Sequence, residues 1–359
     1  MPGLYISYPF CAQKCSFCNF ASGVYSQDLE RRYGTALLRE IREHEWSWKP
    51  HTGYFGGGTP SLMPRKLLRD LVAAIPGELL NELTIECAPG TITRESAEIW
   101  RECGINRVSL GVQSFVTQEL RQVGRRHTAE IVRNEVQLLR NADIANINID
   151  LIAGLPGQTR ESWEDSLNWI GRIAPPHVSV YIFEIDEDSR LGKEVILGGT
   201  RFGASQVPND GLVAELYERA VDRLKGLGIE RYEISNFARH GWESRHNLKY
   251  WKLEPYVGFG LDAHSFDGAE RWSTPDTFEE YFGKGELRRI ASDPAEEHFF
   301  VGLRLMQGIE PTYDEWARFA DPIQKWMNAG MLHKDGPKLR LSRDAVLVSN
   351  EIFQDFLHV

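Results

Sequence analysis

The sequence predicts an α/β protein built as a six-stranded partial (β/α)6 barrel, followed by a small C-terminal winged-helix-like α+β domain. Three observations carry that expectation. Short strand-like runs alternate with longer helical patterns through the first half of the chain, the rhythm of parallel strands with helices outside. Several runs alternate polar and apolar residues strictly, whereas a parallel strand buried on both faces is apolar throughout. The unusual loop sequences all follow strands, and the C-terminal ends of barrel strands are where sites are built.

The strand-like runs lie at 4–8, 53–56, 83–87, 105–112, 146–152 and 177–183, with helical stretches at 29–46, 64–74, 94–103, 128–141 and 161–173. Tyr5 and Ser7 oppose Leu4 and Ile6 in the first run, and Thr84 and Glu86 oppose Leu83 and Ile85 in the third. In the fourth, Arg107, Ser109, Gly111 and Gln113 oppose Val108, Leu110 and Val112; in the fifth, Asn146, Asn148 and Asp150 oppose Ile147 and Ile149. Period-two geometry sends these sets to opposite faces. The apolar face meets the helices, so the polar face lines a lumen that holds something polar.

An acidic stretch at 184–189 and a Gly-rich link (Gly198, Gly199, Gly203) lead to a helix near 212–224. Residues 228–265 read as short β or loop segments at 232–234, 246–251 and 258–264. Beyond 294, helical stretches at 298–306, 313–319 and 323–329 precede a strand at 338–342 and a last helix near 345–357. The expected division is a barrel over 1–227, a barrel-associated extension over 228–293 and the small domain over 294–359. The last lacks a basic recognition helix, so DNA binding is not expected of it.

Composition narrows the partners. With 26% charged residues and a net charge of −10, the chain has no basic signature for nucleic acid or anionic lipid. Five Cys, three of them clustered near the N-terminus, form no disulfide framework and call for a reducing compartment. No signal-peptide pattern precedes the first strand, and no apolar run approaches a membrane span. A cytoplasmic protein, not integral to a membrane, is expected.

Cys11, Cys15 and Cys18 form a C-x3-C-x2-C motif directly after the first strand. Three thiolates on one loop can hold three irons of a cubane cluster and leave the fourth open, whereas a closed electron carrier takes four Cys. A zinc knuckle, the alternative, uses four ligands in pairs at other spacings. After the second strand, Gly56-Gly57-Gly58-Thr59 can bring bare backbone against a ligand, a site for an amino-acid-like ammonium group. Glu86, Gln113, Arg125 and Asp150 would add polar contacts; the bland alternatives are lumen hydrogen bonds for three of them and a surface charge for Arg125. Cys87 and Cys103 read as core thiols.

On these residues the chain resembles the radical S-adenosylmethionine (SAM) superfamily, and within it the group of oxygen-independent coproporphyrinogen III oxidase and the HemW-type heme chaperones. The resemblance runs along nearly the whole chain: 5–11 into the Cys motif, 56–61, 107–115, 150–157 and His246-Asn247-Leu248-Lys249-Tyr250-Trp251. It implies a radical SAM type of barrel whose [4Fe–4S] cluster is held by Cys11, Cys15 and Cys18. It further implies that Tyr5, Phe17, Gly57, Gly58, Thr59, Glu86, Gln113, Arg125 and Asp150 contact SAM. Electron delivery to the cluster, from a donor such as a flavodoxin or ferredoxin, would cleave SAM to methionine and a 5′-deoxyadenosyl radical.

Two features separate the branches. The decarboxylating oxidase carries another Cys two residues after the third, where this chain has Cys18-Asn19-Phe20, and an N-terminal extension that is not expected here because Cys11 sits almost at the start. His246-Asn247-x-x-Tyr250-Trp251 matches the H-N-x-x-Y-W signature associated with heme in the chaperone branch. That resemblance makes His246 an axial heme ligand beside the flat surfaces of Tyr250 and Trp251. Two positions depart from the chaperone pattern: Asn19, where relatives usually carry Asp, and the acidic region 183–191. The expected function is a heme chaperone that passes heme to an acceptor protein. The alternatives are a radical SAM enzyme acting on a porphyrin or another substrate, by hydrogen abstraction or methyl transfer, and a C-terminal docking module regulated by the cluster.

Overall fold

A computed structural model describes residues 1–77, 80–283 and 285–357. Six parallel strands form its centre: β1 (Gly3–Tyr8), β2 (Thr52–Gly57), β3 (Glu82–Cys87), β4 (Arg107–Gln113), β5 (Asn146–Ala153) and β6 (His177–Ile182). They pair in sequence order from β1 to β6. The crossovers carry α1 (Gln27–Glu43), α2 (Arg65–Ala74), α3 (Arg94–Glu102), α4 (Thr117–Gln122), α5 (Ala129–Asn141) and α6 (Arg160–Ile173). Three of them start on a threonine cap: Thr93, Thr128 and Thr159 accept from the backbone N–H of Ser96, Ile131 and Ser162. Such a cap contributes about 1 kcal/mol.

The alternation of the strands is realised. Leu4, Ile6, Val108, Leu110, Ile147 and Ile149 are buried against the helices, and α1 meets them with Tyr33, Leu37 and Ile41. The opposite face carries a lateral polar chain. Asn148 Nδ2 donates to Ser109 Oγ (2.8 Å) and Ser179 Oγ (2.9 Å), while its Oδ1 pairs with His177 Nδ1 (2.6 Å). Each of these groups is buried, and each hydrogen bond offsets the desolvation that burial costs.

The sheet does not end at the six strands. After α7 (Arg190–Ile196) and α8 (Asp210–Gly226), β7 (Glu230–Arg231) and β8 (Asn236–Ala238) add antiparallel to the β6 edge. Past α9 (Arg245–Trp251), β9 (Tyr256–Phe259) adds parallel to β1 at the other edge. The antiparallel strands β10 (His264–Phe266), β11 (Arg271–Ser273) and β12 (Arg288–Ile290) continue from it.

Segment 246–251, read above as β or loop, is helix α9. Ser244 caps it by accepting from Asn247 N–H, and the buried Glu82 carboxylate accepts from the N–H groups of Arg245 (3.0 Å) and His246 (2.9 Å). A carboxylate against the first turn of a helix is favourable, and this one arrives from β3, far away in sequence.

After α10 (Phe278–Phe282), the C-terminal part comprises α11 (Pro294–Phe300), α12 (Tyr313–Arg318) and α13 (Ala320–Asn328), a hairpin of β13 (Leu332–Asp335) and β14 (Lys338–Leu341), and α14 (Ser349–Gln354). Phe299 packs between the rings of Phe319 and Phe356, at 4.5 and 4.7 Å between centroids, and joins the same buried core as the barrel. Among the described residues, no helix is long and apolar enough to cross a membrane.

Candidate functional site

The three motif cysteines sit on a loop pinched at its base. β1 continues through Pro9-Phe10, Cys11 N–H donates to Gly23 O (2.8 Å) and Gly23 N–H returns to Pro9 O (2.9 Å). All three are free and half-buried. The loop is held from outside by Ser16 N–H to Val123 O (3.2 Å) and Leu191 N–H to Ser16 O (2.8 Å). Phe17 packs into a small apolar cluster with Val123, Leu155 and Leu191. Burial pushes the Cys11 thiol up, opposed by hydroxyl hydrogen bonds from Thr59 and Ser22. Among the described residues, no three His, Cys, Asp or Glu side chains gather closely enough for a single metal ion. A cubane asks for a different arrangement, one thiolate per iron.

The glycine turn after β2 is sewn to this loop. Gly58 N–H donates to Tyr8 O (2.8 Å), and Thr59 N–H donates to Phe10 O (2.9 Å). A Cβ at Gly58 would stand 2.8 Å from Phe10 O, and Gly57 has a φ of 106°, so both positions need glycine. Gly57 N–H donates to Glu86 Oε2 (3.2 Å), and Tyr54 OH donates to Glu86 Oε1 (2.8 Å). On the neighbouring strands Asp150 accepts from Ser109 Oγ (3.1 Å) and Asn148 Nδ2 (2.7 Å).

These two carboxylates define the electrostatics of the lumen. Burial, reinforced by the charge of Asp150, raises Glu86 from 4.5 to about 7, against the opposing hydrogen bonds of Tyr54 and Gly57. Burial also raises Asp150. Their bonded partners are hydroxyls, amides and a backbone N–H. A positively charged guest would complete them.

Gln113 and Arg125 meet over Gly111: a Cβ there would lie 3.1 Å from Gln113 Nε2 and 3.6 Å from Arg125 Nη2. Gln113 reaches this position through a bulge in β4 and a φ of 69°. Arg125 Nε is buried without a hydrogen-bond partner, an orphaned donor suited to an anionic group on the same guest. The structure therefore brings Tyr5, Gly57, Gly58, Thr59, Glu86, Gln113, Arg125 and Asp150 to one end and one face of the sheet, beside the cysteines. Tyr54, absent from the sequence reading, belongs with them. Its parity with Thr52 and Gly56 was a usable signal.

Beside the glycine turn opens a pocket of about 620 Å³, reached from Tyr5, Ser7 and Gly57 on one side and Phe20 to Ser22 on the other. Its walls are mostly apolar, with Tyr250, Trp251, Tyr256 and Phe300. Its polar groups include Asp262, His264 and the pair Arg271–Glu297. Arg271 grips Glu297 through Nε (2.5 Å) and Nη2 (2.7 Å) and reaches Tyr256 OH (2.9 Å).

His246 is not on the surface of this pocket. Its ring is fully buried; Nδ1 pairs with Thr52 Oγ1 (2.9 Å) and Nε2 with Tyr250 OH (2.8 Å). Burial, with Lys249 and Arg107 nearby, pushes it down to about 3, so the imidazole is neutral. Its ring stacks on Tyr54 at 5.3 Å. An axial heme ligand needs an open ring nitrogen. In this arrangement His246 stands behind Tyr250 with both nitrogens engaged, because the helix that carries it turns the Tyr250 and Trp251 rings outward instead.

Residues 5–170 match the family model of the Radical SAM superfamily. The heme chaperone HemW of Bacillus subtilis (strain 168) is 31% identical over 381 residues, covering 99% of both chains. That of Lactococcus lactis subsp. lactis (strain IL1403) is 30% identical over 371 residues, covering 98% of this chain and 96% of its own. The chain belongs to the HemW-type family of radical SAM proteins. Its radical SAM domain implies a [4Fe–4S] cluster and SAM. SAM carries a sulfonium, an ammonium and a carboxylate, and the two desolvated lumen carboxylates and the orphaned Arg125 donor fit those charges. The fold of this HemW-type chain matches the coproporphyrinogen III oxidase HemN from Escherichia coli with a TM-score of 0.83, at 21% identity, over 99% of this chain and 89% of that one.

Proposed function

We propose that this protein is a heme chaperone that binds a [4Fe–4S] cluster, SAM and heme and passes heme to an acceptor protein. The observation that carries the reading is the aromatic pocket, which opens directly beside the cysteine loop and glycine turn in a chain whose full-length relatives are named heme chaperones. In it Cys11, Cys15 and Cys18 hold the cluster. Tyr5, Phe17, Gly57, Gly58, Thr59, Glu86, Gln113, Arg125 and Asp150 bind and orient SAM. When bound, the cluster and SAM together supply one-electron chemistry at the barrel mouth; the chain's part is to orient the ligand and exclude water.

Heme is the cargo, taken in the pocket faced by Tyr250 and Trp251. His246 supports that pocket through Tyr250. A cytoplasmic location follows from three thiolates that must stay reduced. The division at 227/228 and 293/294 belongs to the same proposal, with the extension supplying β7–β12 to both edges of the barrel sheet.

The test is a pair of anaerobic assays on the reconstituted protein. Heme titration followed by transfer to an acceptor is expected to show saturable binding and release. Coproporphyrinogen III with SAM and reductant is expected to yield no decarboxylated product. Substrate-dependent 5′-deoxyadenosine together with that product would replace the chaperone with a porphyrin-acting enzyme.

A further inference from the structure

The segments that present Gln113, Arg125 and the end of β5 converge on one buried carboxyl. Glu119 lies on α4, and its Oε2 accepts from Ser114 Oγ (2.6 Å) and from Gln158 Nε2 (3.2 Å), two side chains that are themselves buried. Its Oε1 has no hydrogen-bond partner among the described residues. A buried polar atom left unsatisfied costs stability, so stability alone would favour an apolar side chain at this position. What the carboxyl holds is therefore more informative than how tightly it is held.

Ser114 ties it to the bulge of β4. Ser114 N–H donates to Val112 O (2.8 Å) across Gln113, whose φ is 69°, closing a γ-turn of the rare, strained form. The Ser114 hydroxyl, while donating to Glu119, accepts from Val116 N–H (2.9 Å). The turn that presents Gln113 is thus fastened at its next residue. On the other side α4 carries the constraint to Arg125. The helix closes on Gly124, with a φ of 83°: Gly124 N–H donates to Arg121 O (3.2 Å) and Arg125 N–H to Leu120 O (2.7 Å), the paired bonds of a Schellman motif. Gln158 supplies the third connection. Its Nε2 also donates to Ile152 O (3.2 Å) and its Oε1 accepts from Gly154 N–H (2.6 Å), which closes the loop after β5, the strand of Asp150.

We propose that Glu119 is a positioning residue for SAM: through Ser114, α4 and Gln158 it sets the relative placement of Gln113, Arg125 and Asp150. The proposal rests on the reading above that these three residues contact SAM. A site that grips one ligand with several groups needs their supports locked as well as the groups themselves. A buried hydrogen-bonded network does this by specifying one arrangement of the elements it joins.

The experiment measures SAM affinity of the full-length, cluster-reconstituted protein by anaerobic equilibrium dialysis, beside iron and sulfide content and Tm. Glu119→Leu removes the shared acceptor and is expected to weaken SAM binding about tenfold with iron and sulfide content unchanged. Ser114→Ala breaks only the connection to Gln113 and is expected to act in the same direction, which keeps the test decisive if the leucine variant folds poorly. Glu119→Gln retains an oxygen for the Ser114 hydroxyl and is expected to stay within about threefold of wild type. A double-mutant cycle with Gln113→Ala separates positioning from general damage. A residue that acts through Gln113 loses a large part of its effect once that side chain is gone, whereas independent damage adds. Full additivity in the cycle, or wild-type SAM affinity in both Glu119→Leu and Ser114→Ala, would overturn the assignment. An absence of saturable SAM binding by wild type would instead remove the reading on which it stands.

Discussion

The barrel lumen and the aromatic pocket share Tyr5, Ser7 and Gly57, yet they are built on opposite principles. In the lumen, Glu86 and Asp150 are half-buried among hydroxyls and amides and, among the described residues, have no hydrogen-bonded cation; the charge of Arg107 nearby offsets theirs only in part. In the pocket the half-buried ion pair is matched, with Arg271 bidentate to Glu297, and the surrounding surface is largely aromatic. Incomplete charge selects a charged guest. Completed charge with exposed rings selects a flat, apolar one. Two guests with different chemistry can therefore occupy adjoining spaces, and each space can be disabled alone.

The most severe way to test that separation is Cys15→Ala. Iron and sulfide loading should fall to background, measured by metal analysis after anaerobic reconstitution, while the heme difference spectrum persists. Simultaneous loss of both would show that loop and pocket form one site.

A more graded test uses the raised carboxyl of Glu86. Its folded value of about 7 lies above the ordinary 4.5, so below pH 7 the free site holds a proton that a cationic guest must displace. SAM affinity should therefore rise with pH from 6 to 8 and level off above 7, by about tenfold overall if the bound carboxyl returns to its ordinary range. Glu86→Gln should weaken binding and flatten this dependence. The ligand's own amino group titrates in both proteins, so the difference between the two profiles isolates Glu86. The sign for stability is the opposite. The folded apo-protein binds this proton more tightly than the unfolded chain, so the contribution is favourable at low pH and is lost as pH rises from about 4.5 to 7.

The lumen was legible in the sequence and the pocket was not, for a physical reason. Period-two alternation is a local property: Ser109, Asn148 and Asp150 declare their face through their immediate neighbours, and the loops after β1 and β2 declare themselves by Cys and Gly content. The pocket is assembled from pairings no local pattern encodes. β10–β12 exist because β9 found the free edge of β1, and α9 is seated by Glu82 from β3. A six-residue window around His246 contains its motif but not Thr52 or the packing that buries its ring. Nor does that window reach His264, two strands further on in β10, which shares the pocket with Tyr250.

The smallest expected effect concerns the two places where the sequence departs from the chaperone pattern, because the structure puts them in contact. Asn19 Nδ2 donates to Asp186 Oδ2 (2.5 Å), fastening the end of the cysteine loop to the acidic segment. The Asp186 carboxyl is held below the usual range by the Asp188 N–H and by Asn19, so it is charged at neutral pH. The same segment adds Leu191 N–H to Ser16 O and a hydrogen bond from Arg190 to Lys14 O. An Asp at 19, as relatives usually carry, would set two carboxylates face to face here. Asn19→Asp should loosen the loop and speed cluster loss to a chelator by roughly two- to fivefold, an effect scaled to solvent-exposed charges. High salt should shrink the difference, since exposed charges are screened. Asn19→Asp with Asp186→Asn should restore the wild-type rate, because the pair then regains one donor and one acceptor. If the double variant loses its cluster as fast as the single one, the two departures are independent, and the acidic segment holds the loop only through its backbone.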